Sequence, residues 1–347
     1  HTFQLMMEDV KEGRFSPAVV YDGDTPVEYA SVPLTCYEGK GYRRETFESI
    51  STLLENYYAS RDTITRIRQK SSDLRRIVQT ALERSCKKYD LQLKQLKDTE
   101  KREKYRIYGE LLNTYGYELK GGEKSFKCIN YYDNEEITIP LDPQLTAREN
   151  AQKHFDKYNK LKRTYEALSQ LTMETKAEVD HLESVSSALD IALEENDLVQ
   201  IKEELMEFGY VKKRRANEKR PKITSKPFHY ISSDGYDIFV GKNNYQNEEL
   251  TFKVASGNDW WFHAKGIPGS HAIVKSNGQA DLPDRVFEEA GALAAYYSKG
   301  RENDKVEIDY IQKKNIKKVA GAAPGFVIYH TNYSLVASPR CDLKEVK

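Results

Sequence analysis

The chain has 347 residues, 31% of them charged, with 54 Lys+Arg balancing 54 Asp+Glu. That length allows two or three domains, and so much charge demands a large solvated surface, which argues against a single compact globule. No stretch approaches the roughly 20 apolar residues of a membrane span. Cys36, Cys86, Cys128 and Cys341 form no CxxC pair, so neither a zinc site nor a disulfide framework is expected.

The first residue is His1 and the text opens as if inside a domain, so residues 1–43 are expected to be the trailing edge of a larger amino-terminal domain. Within them, Ala18-Val19-Val20-Tyr21 and Pro26-Val27-Glu28-Tyr29-Ala30 flank Asp22-Gly23-Asp24, the pattern of a β-hairpin. Residues 44–108 are nearly free of Gly and Pro, and Ile67, Ser71, Leu74, Val78, Leu82, Cys86, Tyr89, Leu93 and Leu96 step by three and four with one stutter. A second seam, Tyr158, Leu161, Tyr165, Leu168, Thr172, Thr175, Val179, Leu182, Ser186, Leu189 and Leu193, lies within residues 146–210. Two such helices of about 45 residues, each roughly 65–70 Å long, are expected to fold back as an antiparallel coiled-coil arm.

The segment between them, residues 109–145, reads differently. A Gly121-Gly122 turn, a strand at 125–132, an Asp133-Asn134 turn and a strand at 137–141 predict a small β-rich tip, and Thr146-Ala147-Arg148-Glu149 is a capping box opening the second helix. Residues 197–208 predict a short helix ended by Gly209. Residues 211–227 form a basic linker, with Lys212, Lys213, Arg214, Arg215, Lys219 and Arg220, suited equally to a solvated tether and to a phosphate backbone.

Residues 228–347 read as an α+β domain. Apolar runs at 236–240, 250–254, 260–263, 271–275, 306–310, 326–329 and 335–337 predict a mixed sheet, and residues 285–299 predict one amphipathic helix. The zero net charge hides a division: residues 211–347 carry 23 Lys/Arg against 16 Asp/Glu, so this part is the one suited to a polyanion.

The densest run of chemistry is Asp259-Trp260-Trp261-Phe262-His263-Ala264-Lys265, followed by Ile267-Pro268-Gly269-Ser270-His271. It fits a strand, a turn and a second strand with core aromatics. It also fits a surface on which bases stack while cations hold phosphates. On a strand, Trp261, His263 and Lys265 share a face by period two, and Lys265 predicts that this face is exposed, with Trp260 in the core. His271, the polar segment Lys242-Asn243-Asn244 and the cluster Lys313, Lys314, Lys317 and Lys318 complete the candidate RNA contacts. The histidine spacing suits neither a metal pair nor a catalytic triad, and Gly321-Ala322-Ala323-Pro324-Gly325 lacks a phosphate-cradle pattern. The expectation is a binding protein without cofactor, not an enzyme.

Ser232-Ser233-Asp234-Gly235, Val240-Gly241-Lys242-Asn243-Asn244, the run from Asp259 to His271 and the segment around Pro324-Gly325-Phe326 resemble the RNA-binding domain of the NFACT family, NFACT-R. Asn130-Tyr131-Tyr132-Asp133, Ile139-Pro140-Leu141-Asp142-Pro143 and Asn150-Ala151-Gln152 are similar to the middle domain at the tip of that family's coiled coil. Family members include a bacterial ribosome quality-control factor and proteins named fibronectin-binding protein A. The resemblance implies a multidomain α+β chain: the edge of an NFACT-N domain, a coiled-coil arm with its tip, and NFACT-R. It implies, as partners, tRNA and a large ribosomal subunit obstructed by peptidyl-tRNA, so that the stalled chain receives a carboxy-terminal tail, alanine in bacteria. The tip would reach ribosomal RNA and stalk-base protein. The family's Asp-Arg pair for tRNA recruitment falls on no residue here. A cytoplasmic location follows from that reading; the alternative is a surface adhesin for host fibronectin.

Overall fold

The computed structural model describes residues 7–8, 10–22, 25–32, 34–214, 222–279 and 281–346. Two compact units divide it: Leu82–Asp180, and the segments before and after that stretch. The long helices α1 (Ile50–Asp98) and α3 (Ala147–Ile191) contribute to both.

In the unit of residues 82–180, a three-residue 3₁₀ turn follows α1 and leads into α2 (Arg102–Tyr115), then the hairpin β4 (Ser125–Ile129) and β5 (Glu136–Pro140). Tyr108, Leu111 and Leu112 from α2 meet Phe126, Ile139 and Ala151 in a small core, so the insert is α+β and not β alone. Asn150 holds its closing turn together: Oδ1 accepts the Asp142 amide at 2.8 Å, and Nδ2 donates to the Asp142 and Leu145 carbonyls. The Thr146/Glu149 capping box is present, with the Glu149 carboxylate accepting from the Thr146 amide at 2.8 Å. The Arg102 guanidinium lies 3.9 Å from the Tyr165 ring centre and Gly109 lies against Phe155, so the helices run antiparallel here.

The seam of α1 differs from the expected one beyond the stutter. Ser85 and Gln92 are the buried residues there, followed by Thr99 in the 3₁₀ turn after α1, while Cys86 is half-buried and Leu93 exposed. Polar side chains thus hold the narrow contact line.

In the other unit, β1 (Ala18–Asp22) is central to an antiparallel three-stranded sheet, flanked by β2 (Thr25–Ala30) and β3 (Arg43–Thr46). The expected hairpin turn at Gly23 and Asp24 lies outside the described residues; β3 is a third strand that the sequence pattern does not reveal. Val19 and Tyr21 pack on Leu53 and Tyr57 of α1. Arg75 pairs with Asp190, and Lys70 with Glu195, again antiparallel. Helix α4 (Glu195–Glu207) ends in a Schellman pattern, in which the Tyr210 amide donates to the Leu205 carbonyl and the Gly209 amide to that of Met206.

Residues 228–346 build a six-stranded sheet in the order β13-β10-β8-β9-β7-β6. The strands are β6 (Phe228–Ile231), β7 (Asp237–Val240), β8 (Trp260–Ala264), β9 (Ala272–Val274), β10 (Val306–Gln312) and β13 (Tyr333–Ala337), with the short pair β11 (Lys317–Lys318) and β12 (Val327–Ile328) apart. Every pairing is antiparallel, which corrects the expected mixed sheet. Residues 250–254, read as a strand, form a π-helical turn after the short helix α5 (Asn244–Glu249).

The sheet is covered on both faces. Phe262, Ala264, Ala272, Val274 and Ile308 face α6 (Asp284–Tyr296) through Val286, Ala290, Leu293 and Ala294. The alternate residues Trp261, Ile273 and Ile311 face Leu250, Ala255 and Ile316, with Phe252, Val327 and Tyr329 alongside. Period two holds along the central strands, where both faces are covered, while at the edge strand β13 Val336 stays 65% exposed.

Candidate nucleic-acid interface

Strand β8 carries the aromatic run at the middle of the sheet. Trp261 is 1% exposed, against the expectation that it faces solvent. It shares a face with His263 as period two requires, but the layer made by residues 250–255 and 313–329 lies over that face. Its ring packs 5.6 Å from His263, 5.1 Å from His271 and 5.4 Å from Tyr329. His271 is buried as well; its Nδ1 lies 2.8 Å from the Thr251 hydroxyl and 3.2 Å from the Asn247 carbonyl. Burial holds His263 down at about 4 and, with His263 beside it, pushes His271 well below the ordinary imidazole value. Both rings are neutral near pH 7, with His271 buried and His263 half-buried against Trp261. Trp260 is half-buried on the opposite face, 5.0 Å from Phe287 and 5.8 Å from Tyr310.

The segment Gly241-Lys242-Asn243-Asn244 is also interior, which corrects its reading as a surface contact. A Cβ on Gly241 would lie 2.2 Å from Asn247 Oδ1, the atom that accepts the His271 amide, so only glycine fits. Lys242 Nζ lies 3.5 Å from Asp197 Oδ1 and 4.4 Å from the Phe228 ring centre. Asn243 caps α5 by accepting the Gln246 amide, and its Nδ2 donates to Gln200 Oε1 at 2.9 Å. Asn244 Nδ2 donates to Glu204 Oε1 at 2.7 Å and to the Ser184 hydroxyl at 2.8 Å. Glu204 Oε1 also meets His181 Nε2 at 2.8 Å. The motif therefore pins this domain to the end of α3 and to α4 through a buried polar joint. Asp197, Gln200 and Glu204 were missed from sequence; their three- and four-residue spacing on one helix face was the available signal.

Several of the basic candidates stay at the surface. Lys265, just beyond β8, is exposed and paired with Glu307. Lys212 and Lys213 are exposed, Arg214 pairs with Glu203, and Arg215, Lys219 and Arg220 lie outside the described residues. Lys314, Lys317 and Lys318 are exposed and Lys313 half-exposed. The structure does not bring Lys265 to them: Trp260 pairs with Gln312 and Ala264 with Ile308, so they sit at opposite ends of β8. It does bring in Lys253 and Lys275, which the sequence reading omitted. Lys313 Nζ lies 5.9 Å from the ring centre of Phe252, adjacent to Lys253, and Lys275 Nζ donates to the Val254 carbonyl at 3.0 Å.

At this end of the sheet Lys275 pairs with Asp259 and Lys318 with Glu248, while Lys253, Lys313, Lys314 and Lys317 have no acidic partner among the described residues. Burial pushes the Asp259 carboxyl up, but Lys275 and the Ser276 and Ser256 amides outweigh it and hold it below the usual range. An excess of cations with few anions is an electrostatic footprint for a phosphate backbone. Among the described residues, no group of three or more His, Cys, Asp or Glu is placed to hold a metal ion, and no helix is long and apolar enough to cross a membrane.

Residues 1–224 match the model of the NFACT N-terminal and middle domains, and residues 226–330 that of the NFACT protein RNA binding domain. The chain is 42% identical, over 93% of its length, to the Rqc2 homolog RqcH of Streptococcus suis, covering 57% of that protein. It is 35% identical, over 97% of its length, to the Rqc2 homolog RqcH of Bacillus subtilis, covering 58%. It thus spans a little over half the length of these curated relatives. A solved structure of the C-terminal part of the fibronectin/fibrinogen-binding protein from Streptococcus suis superimposes with a TM-score of 0.61 at 38% identity, over 80% of this chain and 97% of that one.

Proposed function

The chain belongs to the NFACT family, and we propose that it is the RNA-engaging part of a cytoplasmic ribosome-associated quality-control factor, which acts by binding and not by catalysis. In this reading the protein binds an obstructed large ribosomal subunit and tRNA and supports carboxy-terminal tailing of the stalled chain. The observation that carries it is the cluster at one end of the sheet, where Lys253, Lys313, Lys314 and Lys317 stand without acidic partners among the described residues, within a region matching an NFACT RNA binding domain. The names of its RqcH relatives support the same direction.

The competing reading, binding of fibronectin, rests on the description given to the Streptococcus suis protein whose C-terminal part was solved. Equilibrium binding of the chain to labelled tRNA and to immobilised fibronectin, over a salt series, separates the two. Salt-sensitive tRNA binding without fibronectin capture is expected; fibronectin capture with no affinity for tRNA would reverse the conclusion.

A further inference from the structure

We infer that two β-turns beside Asp259, residues 256–259 and 276–279, form a seat for a phosphate group of bound RNA. This rests on the reading of the chain as an RNA binder and locates a contact that the sequence did not indicate. The first turn is closed by the Asp259 amide donating to the Ser256 carbonyl at 3.0 Å, and the second by the Gln279 amide donating to Ser276 at 2.9 Å. Asn277 and Gly278 both have positive φ, 52° and 83°, the arrangement of a type I′ turn.

Asp259 ties the turns together. Its Oδ2 accepts the Ser256 amide at 2.7 Å and a proton of Lys275; its Oδ1 accepts the Ser276 amide at 2.9 Å and hydroxyl at 3.1 Å. The carboxylate is buried and its acceptor sites are used internally, so its charge is neutralised where it sits. Between the turns lies an open cleft of about 410 Å³ in which Asp259 is the one acidic lining residue among those described. The amides of Gly257, Asn258, Asn277 and Gly278 donate to no described residue. Lys313 and Lys314 are bound to the rim, their amides donating to the Asp259 and Gly257 carbonyls at 2.9 Å each.

Amides without a partner among the described residues, on two hydrogen-bonded turns with lysines at the edge, supply what a phosphodiester oxygen requires: donors plus positive charge, with no side chain reading a base. The unspent cations of the surrounding cluster would continue the contact along the backbone.

The test is the double substitution Asn258→Asp and Asn277→Asp in the full chain. Neither side chain makes a hydrogen bond to a described residue, both residues are exposed, and Asp tolerates positive φ, so the fold is kept while two negative charges enter the cleft. Lys305→Glu, an exposed site preceding the opposite end of β10, changes the charge by the same amount and is the control. With a labelled oligouridylate at low salt, the double variant should lose about tenfold or more in affinity, the value of one charge-assisted contact. The control should lose clearly less. Equal losses in both variants overturn the seat alone, whereas a wild-type chain that binds no RNA overturns it together with the reading beneath it. Should the double variant melt early, Asn258→Asp by itself, set against Lys305→Gln with the same single change of charge, carries the comparison.

Discussion

Replacing Trp261 with alanine removes the largest fully buried side chain among the described residues. Truncations of buried Phe and Trp cost about 3–5 kcal/mol through the transfer energy forfeited and the cavity left behind. An offsetting effect lowers the figure, because Trp261 Nε1 is buried with no hydrogen-bond partner among the described residues. The substitution therefore also removes an unsatisfied donor, a defect of roughly 1–3 kcal/mol. The net expectation sits near the bottom of the range, about 3 kcal/mol. The chain has two tryptophans, both on β8, so Trp260 fluorescence reports on this domain selectively in the variant. With a urea slope of roughly 1–3 kcal/mol per M, the midpoint should fall by about 1–3 M. An unchanged midpoint, with RNA affinity abolished, would refute the two-layer packing and return Trp261 to an exposed stacking role.

The depressed His263 and His271 make the same domain acid-sensitive: the unfolded chain takes up protons from about pH 6.5 downward while the folded rings resist. Stability is full above pH 6.5 and declines as pH falls toward 4, by about 1–3 kcal/mol for His263; urea melts that do not change between pH 7.5 and 5 would contradict this. Asn244→Ala strips a donor from buried Glu204, whose Oε2 already lacks a partner among the described residues, and should cost about 1–3 kcal/mol in thermal unfolding. Gly109→Ala, which in an open helix gains about 1 kcal/mol, should here destabilise by about 1–3 kcal/mol because the new Cβ would lie 2.7 Å from the Phe155 ring. A circular-dichroism melt that rises instead would show that Phe155 gives way. Replacing Lys313, Lys314, Lys317 and Lys318 with alanine should flatten the salt dependence of tRNA binding by up to roughly 0.7–0.9 for each phosphate no longer neutralised; an unchanged slope places the contacts elsewhere.

Local chemistry was legible in the sequence where local chemistry decides the structure. The Thr146/Glu149 capping box, the helix end at Gly209, the strands around Asp133-Asn134 and the α6 stripe of Val286, Ala290 and Leu293 all depend on neighbours a few residues away. The phase of β8 was also legible, since Trp261 and His263 do share a face. What covers that face was not, because residues 250–255 and 313–329 arrive from distant positions and 250–254 has the apolar density of a strand. Lys242, Asn243 and Asn244 were misplaced for the same reason. Polar side chains default to solvent in a sequence reading, and their partners Asp197, Gln200 and Glu204 lie some 40 residues earlier. Among the candidate site residues, Lys314, Lys317 and Lys318 were legible as exposed cations; the turns that gather Lys253 and Lys275 beside them required the tertiary structure.

The most direct test of the central claim is sedimentation of the full-length protein through a sucrose gradient with dissociated ribosomal subunits, with and without peptidyl-tRNA on the large one. Migration with the large subunit, strengthened by peptidyl-tRNA and weakened by the four-lysine replacement, is the predicted result. A protein that stays at the top of the gradient under every low-salt condition would contradict the claim.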